Sequence, residues 1–224
     1  MTIVAASQNS HAALVEQRGG VRKRIFAWAL HKFNGRYERE IASRKRALLG
    51  GLTGTVVEIG PGTGPNLRYY AKTVRWIGIE PNPYMRAYLG REAARAGIAA
   101  EMRGGTVEAM ACANDAADAV VGTLVLCSVS DLRAALAEIL RVLKPGGRFV
   151  FVEHVAAEPG TPLRQWQRRL RPCFHYLADG CNADRETWRA IESAGFAEVH
   201  LEHFDGPVPI VRPHIAGVAI KKAA

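Results

Sequence analysis

The stretch that most constrains this chain is Thr55-Val56-Val57-Glu58-Ile59-Gly60-Pro61-Gly62-Thr63-Gly64-Pro65-Asn66. Thr55 to Ile59 is a short β-branched run between Gly54 and Gly60, which predicts a buried parallel strand. Gly60, Gly62 and Gly64 then remove every second Cβ, so the backbone can turn sharply and lie against a ligand. A helix start behind such a turn presents free N–H groups to an anion.

Spacing separates the two ligand classes that use this cradle. The dinucleotide pattern G-x-G-x-x-G needs a third glycine where helix and strand pack closely, and Pro65 stands there. What remains is acidic-x-G-x-G-x-G with Glu58 as the acidic member, which resembles the first motif of class I S-adenosylmethionine methyltransferases. A second strand, residues 74–79, ends in Glu80, followed by Pro81-Asn82-Pro83. A carboxylate at that strand tip can accept both hydroxyl protons of a ribose.

Further on, strands are expected at residues 99–103, 118–126, 148–152, 196–204 and 214–221. Helices are expected at 66–71 and 83–96, from Leu132 with Ser130 as N-cap to Pro145-Gly146-Gly147, and from Asp184 as cap to Ala194. This alternation predicts an α/β fold with a mostly parallel sheet whose ligands lie beyond the strands' carboxyl ends. Thr106, Val107, Glu108 and Thr123 fall at that edge, as do Glu153 and His154. Residues 155–183 break the rhythm with Pro159, Pro162 and Pro172, and are expected to form a lid or acceptor pocket.

Ahead of the first strand, residues 1–50 are expected to be a helical segment, disordered over 1–10. A basic amphipathic helix should run over about 11–33, with Val21, Ile25, Trp28 and Ala29 on its apolar stripe, and a second over 36–49. That stripe can cover the pocket, pack on the sheet, or lie on a membrane interface, in that order of preference. The methyltransferase domain should then occupy 51–224. The net charge of +9 is dispersed and can attract RNA or an anionic membrane surface: an RNA-binding protein is the least favoured reading, no specific nucleic-acid partner is expected, and peripheral membrane contact through the basic helix is an open alternative. No apolar run near the N-terminus approaches the roughly 20 residues of a span, and no signal-peptide pattern is present, which suggests a cytoplasmic protein. Cys112, Cys127, Cys173 and Cys181 form no C-x-x-C pair and have no histidine at zinc spacing, so neither a metal site nor a disulfide is expected.

Several motifs are more discriminating than the glycine loop: Thr123-Leu124-Val125-Leu126-Cys127-Ser128-Val129, Glu153-His154-Val155-Ala156-Ala157, Asp179-Gly180-Cys181-Asn182 and Val211-Arg212-Pro213-His214-Ile215. With Glu58 to Gly64, Glu80 to Pro83 and Leu143 to Gly147, they resemble the methyltransferase-like protein seven family, alkyl thiol S-methyltransferases of the class I fold. The resemblance implies a Rossmann-like, seven-stranded, mostly parallel sheet flanked by helices. It implies S-adenosylmethionine bound by Glu58, Gly60, Gly62, Thr63, Gly64, Asn66, Glu80, Pro81, Asn82, Thr106, Val107, Glu108 and Thr123, and a small-molecule thiol as acceptor. An alkyl thiol is only a few per cent ionised at pH 7, so a base would help; His154, His175 and Asp179 are the candidates, with Glu153 as an orienter. Cys127 and Cys181 are read as pocket-lining, since direct transfer needs no protein nucleophile. An amine, a hydroxyl or a phospholipid headgroup is the alternative acceptor. Animal members of that family begin with a hydrophobic anchor, and none is expected from residues 1–50 here.

Overall fold

The computed structural model describes residues 20–224; the expectations for residues 1–19 lie outside them. Three helices come first, α1 (Val21–Phe33), α2 (Gly35–Glu40) and α3 (Ala42–Leu49). Then follow β1 (Thr55–Ile59), β2 (Arg75–Ile79), α4 (Arg86–Ala96), β3 (Ala100–Arg103), β4 (Ala117–Thr123), α5 (Leu132–Val142), β5 (Leu143–His154), α6 (Pro162–Leu177), α7 (Thr187–Glu192), β6 (Glu198–Asp205) and β7 (Pro213–Ile220).

The seven strands form one sheet in the order β3-β2-β1-β4-β5-β7-β6, with β7 antiparallel to both its neighbours and the first five mutually parallel. The chain leaves β1 toward β2 and β3, then returns to place β4 on β1's other side, and the crevice above this reversal is where such sheets bind ligands. Alternating side chains of β1 feed two cores. Val57 and Ile59 join Leu136, Ile139, Phe149 and Phe151 on one face, while Val56 joins Leu49, Trp76, Leu89 and Val150 on the other. The N-terminal helices share this core, because Ile41 packs with Val152 of β5 and Ala216 of β7.

Several expected boundaries are corrected. The helix expected at 66–71 is a single 3-10 turn, Leu67–Tyr69, and α4 is likewise preceded by a 3-10 turn, Pro83–Met85. Asp131, not Ser130, caps α5, its Oδ1 accepting from the Ala134 N–H at 3.0 Å. The strand expected at 148–152 begins at Leu143, and its pairing shifts from Ala117↔Leu143 to Ala119↔Arg148, so Lys144 to Gly147 bulge out of the ladder. The fourth strand stops at Thr123, three residues early, and Leu124 takes a left-handed φ of 55°. Asp184 does not cap α7, which starts at Thr187; it faces Arg171 at 3.8 Å. The segment 155–183 holds the 16-residue helix α6, opened by Thr161, whose Oγ1 accepts from the Arg164 N–H, with Pro162 in its first turn.

The apolar stripe expected on α1 is also out of phase. Val21, Ile25 and Trp28 are 75%, 57% and 53% exposed, whereas Ala27 is buried and Phe26 and Leu30 turn inward.

Candidate active site

A cavity of about 980 Å³ opens above the reversal of the sheet. Gly60, Pro61, Gly62, Thr63, Asn66, Glu80, Pro81, Thr106, Val107, Glu108 and Thr123 form one end of it. Gly60 has a φ of 57° and stands where a Cβ would lie 2.5 Å from Val125, so only glycine lets the loop cross β4's exit. Gly64 works differently. It does not line the cavity; a Cβ there would meet Leu89 and Leu67 at 2.8 and 2.9 Å, so it seats the loop on α4.

Glu80, almost fully buried, accepts the Gly62 N–H at 2.9 Å through one oxygen and the Asn82 N–H at 2.8 Å through the other. Burial pushes its carboxyl up to about 7, against the pull of those two donors. Each oxygen accepts one of these bonds and has capacity for a further donor, and Glu80 lines the cavity, as binding of a ribose diol requires. Asn66 donates to Glu58 at 2.8 Å and to Thr123 Oγ1 at 3.0 Å, but its own Oδ1 is buried with no acceptor role filled. An orphaned acceptor, a carboxylate at the β2 tip and a Cβ-free turn fit a ligand bearing an ammonium group and a ribose, as S-adenosylmethionine does.

Three residues expected to contact the cofactor have side chains engaged by the protein itself, although Glu58 and Glu108 also line the cavity. Glu58 is fully buried, and its carboxylate accepts from Asn66, Tyr70 Oη (2.8 Å) and Trp76 Nε1 (2.9 Å); burial raises its pKa. It holds the loop and β2 together from beneath. Asn82 caps the turn before α4 through Tyr84 N–H and donates to the Lys23 carbonyl of α1, outside the cavity wall. Glu108 lines the cavity, yet its Oε1 accepts from the Ser130 and Asp131 N–H groups.

The other end of the cavity is lined by Cys127, Ser128, His154, Phe174, His175, Ala178, Asp179, Gly180, Cys181 and Arg185. Asn182 clamps the Cys127 carbonyl through its N–H and its Nδ2, at 2.9 and 3.1 Å, so the Asp179-Gly180-Cys181-Asn182 turn folds onto the β4 exit. Asp179 and Gly180 are both left-handed there. Cys181 Sγ consequently meets His154 Nε2 at 3.3 Å, and Cys127 joins both. Hydrogen bonding from Cys181 and the charge of His154 hold the Cys127 thiol well below the usual range, although burial opposes this. Burial would lower His154, but the Cys127 thiolate outweighs it and the imidazole is raised. No sequence spacing announces this triad.

Of the other proton-transfer candidates, His175 is exposed at the mouth and Asp179 lies 3.9 Å from Arg22 Nη2 of α1. Glu153 cannot orient His154, because successive residues of β5 point to opposite faces. Its Oε1 instead accepts from Val125 and Leu126 N–H, fixing the turn after β4, and burial pushes it up to about 8. Behind His154, His214 is flanked by the Arg212 carbonyl at Nδ1 (2.9 Å) and by Tyr37 Oη at Nε2. Burial pushes it down to about 4, so it stays neutral and pins α2 to β7.

Sequence reasoning missed three contributors. Phe26 and Leu30 come from the inward face of α1, which a helical wheel with the correct phase would have found. Arg185 donates to the Leu126 and Val129 carbonyls at 2.6 and 2.9 Å, and nothing in its neighbourhood of sequence marks it.

The family described as "Methyltransferase domain" matches residues 57–151. A methyltransferase of Thermotoga maritima superposes with a TM-score of 0.66 at 19% identity, covering 90% of this chain and 99% of that one, which is a likeness of fold. Human thiol S-methyltransferase TMT1A is 39% identical over 217 residues, 89% of this chain and 87% of its own. Rat thiol S-methyltransferase TMT1B is 36% identical over 215 residues, with the same coverage of both chains. The glycine loop, the β2 carboxylate and the extended likeness to these relatives together establish that the chain belongs to the thiol S-methyltransferase family, within the class I S-adenosylmethionine-dependent methyltransferases.

Proposed function

We propose that the chain transfers the methyl group of S-adenosylmethionine to the sulfur of a small alkyl thiol. The observation that carries this reading is one cavity with the Glu80–Asn66 edge at one end and the wall of Cys127, His154 and Cys181 at the other. S-adenosylmethionine, when bound, supplies a methyl group already activated on a sulfonium. The chain's own task is therefore to orient two reactants in line and to exclude water, which supplies much of the barrier reduction.

Glu80 and the Gly60–Asn66 loop orient the donor, and Phe26, Leu30 and Phe174 wall the space in which an alkyl group rests. His154, with its Nε2 already at Cys181, acts on the acceptor together with the two thiols rather than as an isolated base. His175 and Asp179 stand at the mouth and shape acceptor entry; His175→Gln and Asp179→Asn should raise KM several-fold with kcat little changed. A fall in kcat alone would put them at the reacting atoms.

The direct test is transfer of the labelled methyl group of S-adenosylmethionine into a panel of alkyl thiols, amines, phenols, phospholipid headgroups and RNA. Thiols should be the preferred acceptors by kcat/KM. Preference for an amine, a phenol or a headgroup rejects the sulfur assignment and leaves the methyl-donor site standing.

The same reading includes peripheral contact with an anionic lipid surface on the cytoplasmic side. Val21, Ile25, Trp28 and Phe33 stand exposed on α1 among Arg22, Arg24 and Lys32, and Arg22 reaches Tyr176 near the C-terminus of α6, where Tyr176 and Leu177 are also exposed. No described helix is long and apolar enough to cross a membrane. Such a face suits interfacial binding. Sedimentation with vesicles containing phosphatidylserine should fall when Ile25 and Trp28 are replaced by Glu; unchanged sedimentation rejects the contact.

A further inference from the structure

We propose that Cys127, Cys181 and His154 bind a soft divalent cation, best matched by zinc, whose fourth coordination position faces the cavity and takes the acceptor thiol as its thiolate. This rests on the thiol reading above and adds to it how the acceptor is held and ionised.

The geometry comes first. One ligand atom from each residue lies within 4.8 Å of the others, and Cys181 Sγ is 3.3 Å from His154 Nε2. With Zn–S of about 2.3 Å and Zn–N of about 2.0–2.1 Å, the edges of a zinc tetrahedron are about 3.5–3.8 Å long. The cluster therefore needs shifts of a few tenths of an ångström at the known edge. All three residues are buried, and all three line the cavity, which leaves an open side where an acceptor must sit. Three protein ligands plus one open position is the arrangement of reactive rather than structural zinc.

Partners point the same way. The other polar contacts of Cys127 are long, Leu124 O at 3.7 Å and Ser128 Oγ at 3.6 Å. Apart from Cys181 and His154, then, the Cys127 sulfur has little to satisfy it. The three come from different elements: the β4 exit, the last residue of β5 and the turn after α6. Two left-handed residues and the double clamp of Asn182 on the Cys127 carbonyl are what bring the sulfurs together. Ser128 Oγ is placed to donate to a Cys127 thiolate, as outer-shell groups around metal sites do.

Charge and chemistry also balance. Two thiolates, a neutral imidazole and a dication sum to zero before the acceptor arrives; the bound acceptor thiolate adds one negative charge, which methylation by the cationic sulfonium removes. An acceptor R–SH that takes the fourth position gives its proton to solvent and remains as R–S⁻ on the metal, since a coordinating thiol is deprotonated outright. The S–H bond breaks, a metal–sulfur bond forms, and no oxidant or reductant is consumed. After methylation the product is a neutral thioether, a poorer ligand that leaves. Soft ligands prefer such a site, so amines and alcohols are disfavoured by the same coordination.

The test uses the full chain, untagged and expressed in zinc-supplemented medium, with metal content measured by plasma mass spectrometry. The metal-stripped chain is then titrated with zinc against a chromophoric chelator, and with cobalt(II). About one zinc per chain is expected. Cys127→Ser, Cys181→Ser and His154→Gln should each weaken zinc by about 100-fold or more, beyond the 10–100-fold typical of an outer-shell partner. Cys112→Ser and Cys173→Ser should leave it unchanged. Retained binding of S-adenosylhomocysteine certifies the fold of each variant. The cobalt form should show four-coordinate visible bands and sulfur-to-metal charge transfer that shift when an alkyl thiol is added. A folded chain that takes up no zinc, or takes it equally without Cys127 and Cys181, overturns the proposal, as does a Cys127–Cys181 disulfide in metal-free chain purified without reductant. Full-rate thiol methylation by zinc-free chain removes the metal but leaves the thiol reading intact. Cobalt bands indifferent to thiols in a chain that methylates amines remove the thiol reading and the acceptor's place on the metal together.

Discussion

Glu58 and Glu80 stand at the tips of neighbouring strands, both buried, and their partners give them different work. Glu80 keeps lone pairs for a ligand and has its carboxyl raised to about 7 by burial. Its folded value lies above the unfolded value of about 4.3, so the fold favours the protonated acid. Its contribution to stability is complete below that unfolded value and is lost as pH rises through about 7. Across that window the ligand-free chain should lose about 3.5 kcal/mol through this group alone. Denaturant midpoints measured against pH should show the slope, and Glu80→Gln should flatten it. Ribose hydroxyls donate to the ionised form, so S-adenosylhomocysteine affinity should climb through the same range. Glu80→Ala should weaken that affinity about ten-fold or more, as expected for a lost charge-assisted pair. Glu58 has three side-chain donors on it and none to spare. Glu58→Ala leaves Tyr70, Trp76 and Asn66 unsatisfied in the core and should cost about 3 kcal/mol or more, read by denaturation rather than by ligand affinity.

Two elements decide who enters the cavity and how firmly the loop is seated. The glycine loop rests on α4 at Gly64, whose φ is 85° and whose Cβ space is filled by Leu89 and Leu67. Gly64→Ala combines left-handed strain with overpacking and should lower stability by about 2–4 kcal/mol, measured by chemical denaturation. At the opposite wall, α1 is tied down by Asn82 Nδ2 on the Lys23 carbonyl and by Arg22, which donates to the Tyr176 carbonyl and faces Asp179. The Arg22 contacts are exposed ones at the rim. Arg22→Ala should change stability by less than about 0.5 kcal/mol yet raise the acceptor KM, because the two helices that frame the mouth lose their tie. Beneath α1, Lys45 is fully buried with Glu38 at 2.8 Å, and burial lowers its pKa despite that partner. Glu38→Ala strands the ammonium and should cost about 3–5 kcal/mol, whereas replacing both residues with apolar ones should cost much less.

At the scale of the whole molecule, occupancy of the crevice should couple to unfolding as a unit. S-adenosylhomocysteine at about 100 times its Kd stabilises by about 2.7 kcal/mol, which for a chain of this length should raise Tm by about 5–10 °C. Nicotinamide dinucleotides should give no shift, since Pro65 stands where their fingerprint has its third glycine. What was legible in the sequence alone was local or periodic. The β1 run, the Gly60–Gly64 turn, Glu80 at the next strand tip and the alternation of strand with helix follow from neighbours within a few residues, and they determined the fold class and the cofactor edge. Boundaries shifted where a single φ decides, as at Leu124, or where a bulge lengthens β5. α6 was hidden by its prolines, because Pro162 reads as a break although the first turn of a helix accepts it. Only the tertiary structure decided the phase of α1, the structural duties of Glu58, Asn82 and Glu153, and the meeting of Cys127, His154 and Cys181. The physical reason is separation along the chain: those three residues lie on three elements, and no propensity or spacing encodes a contact that exists only once parallel strands and a clamped turn have brought their ends to one edge of the sheet.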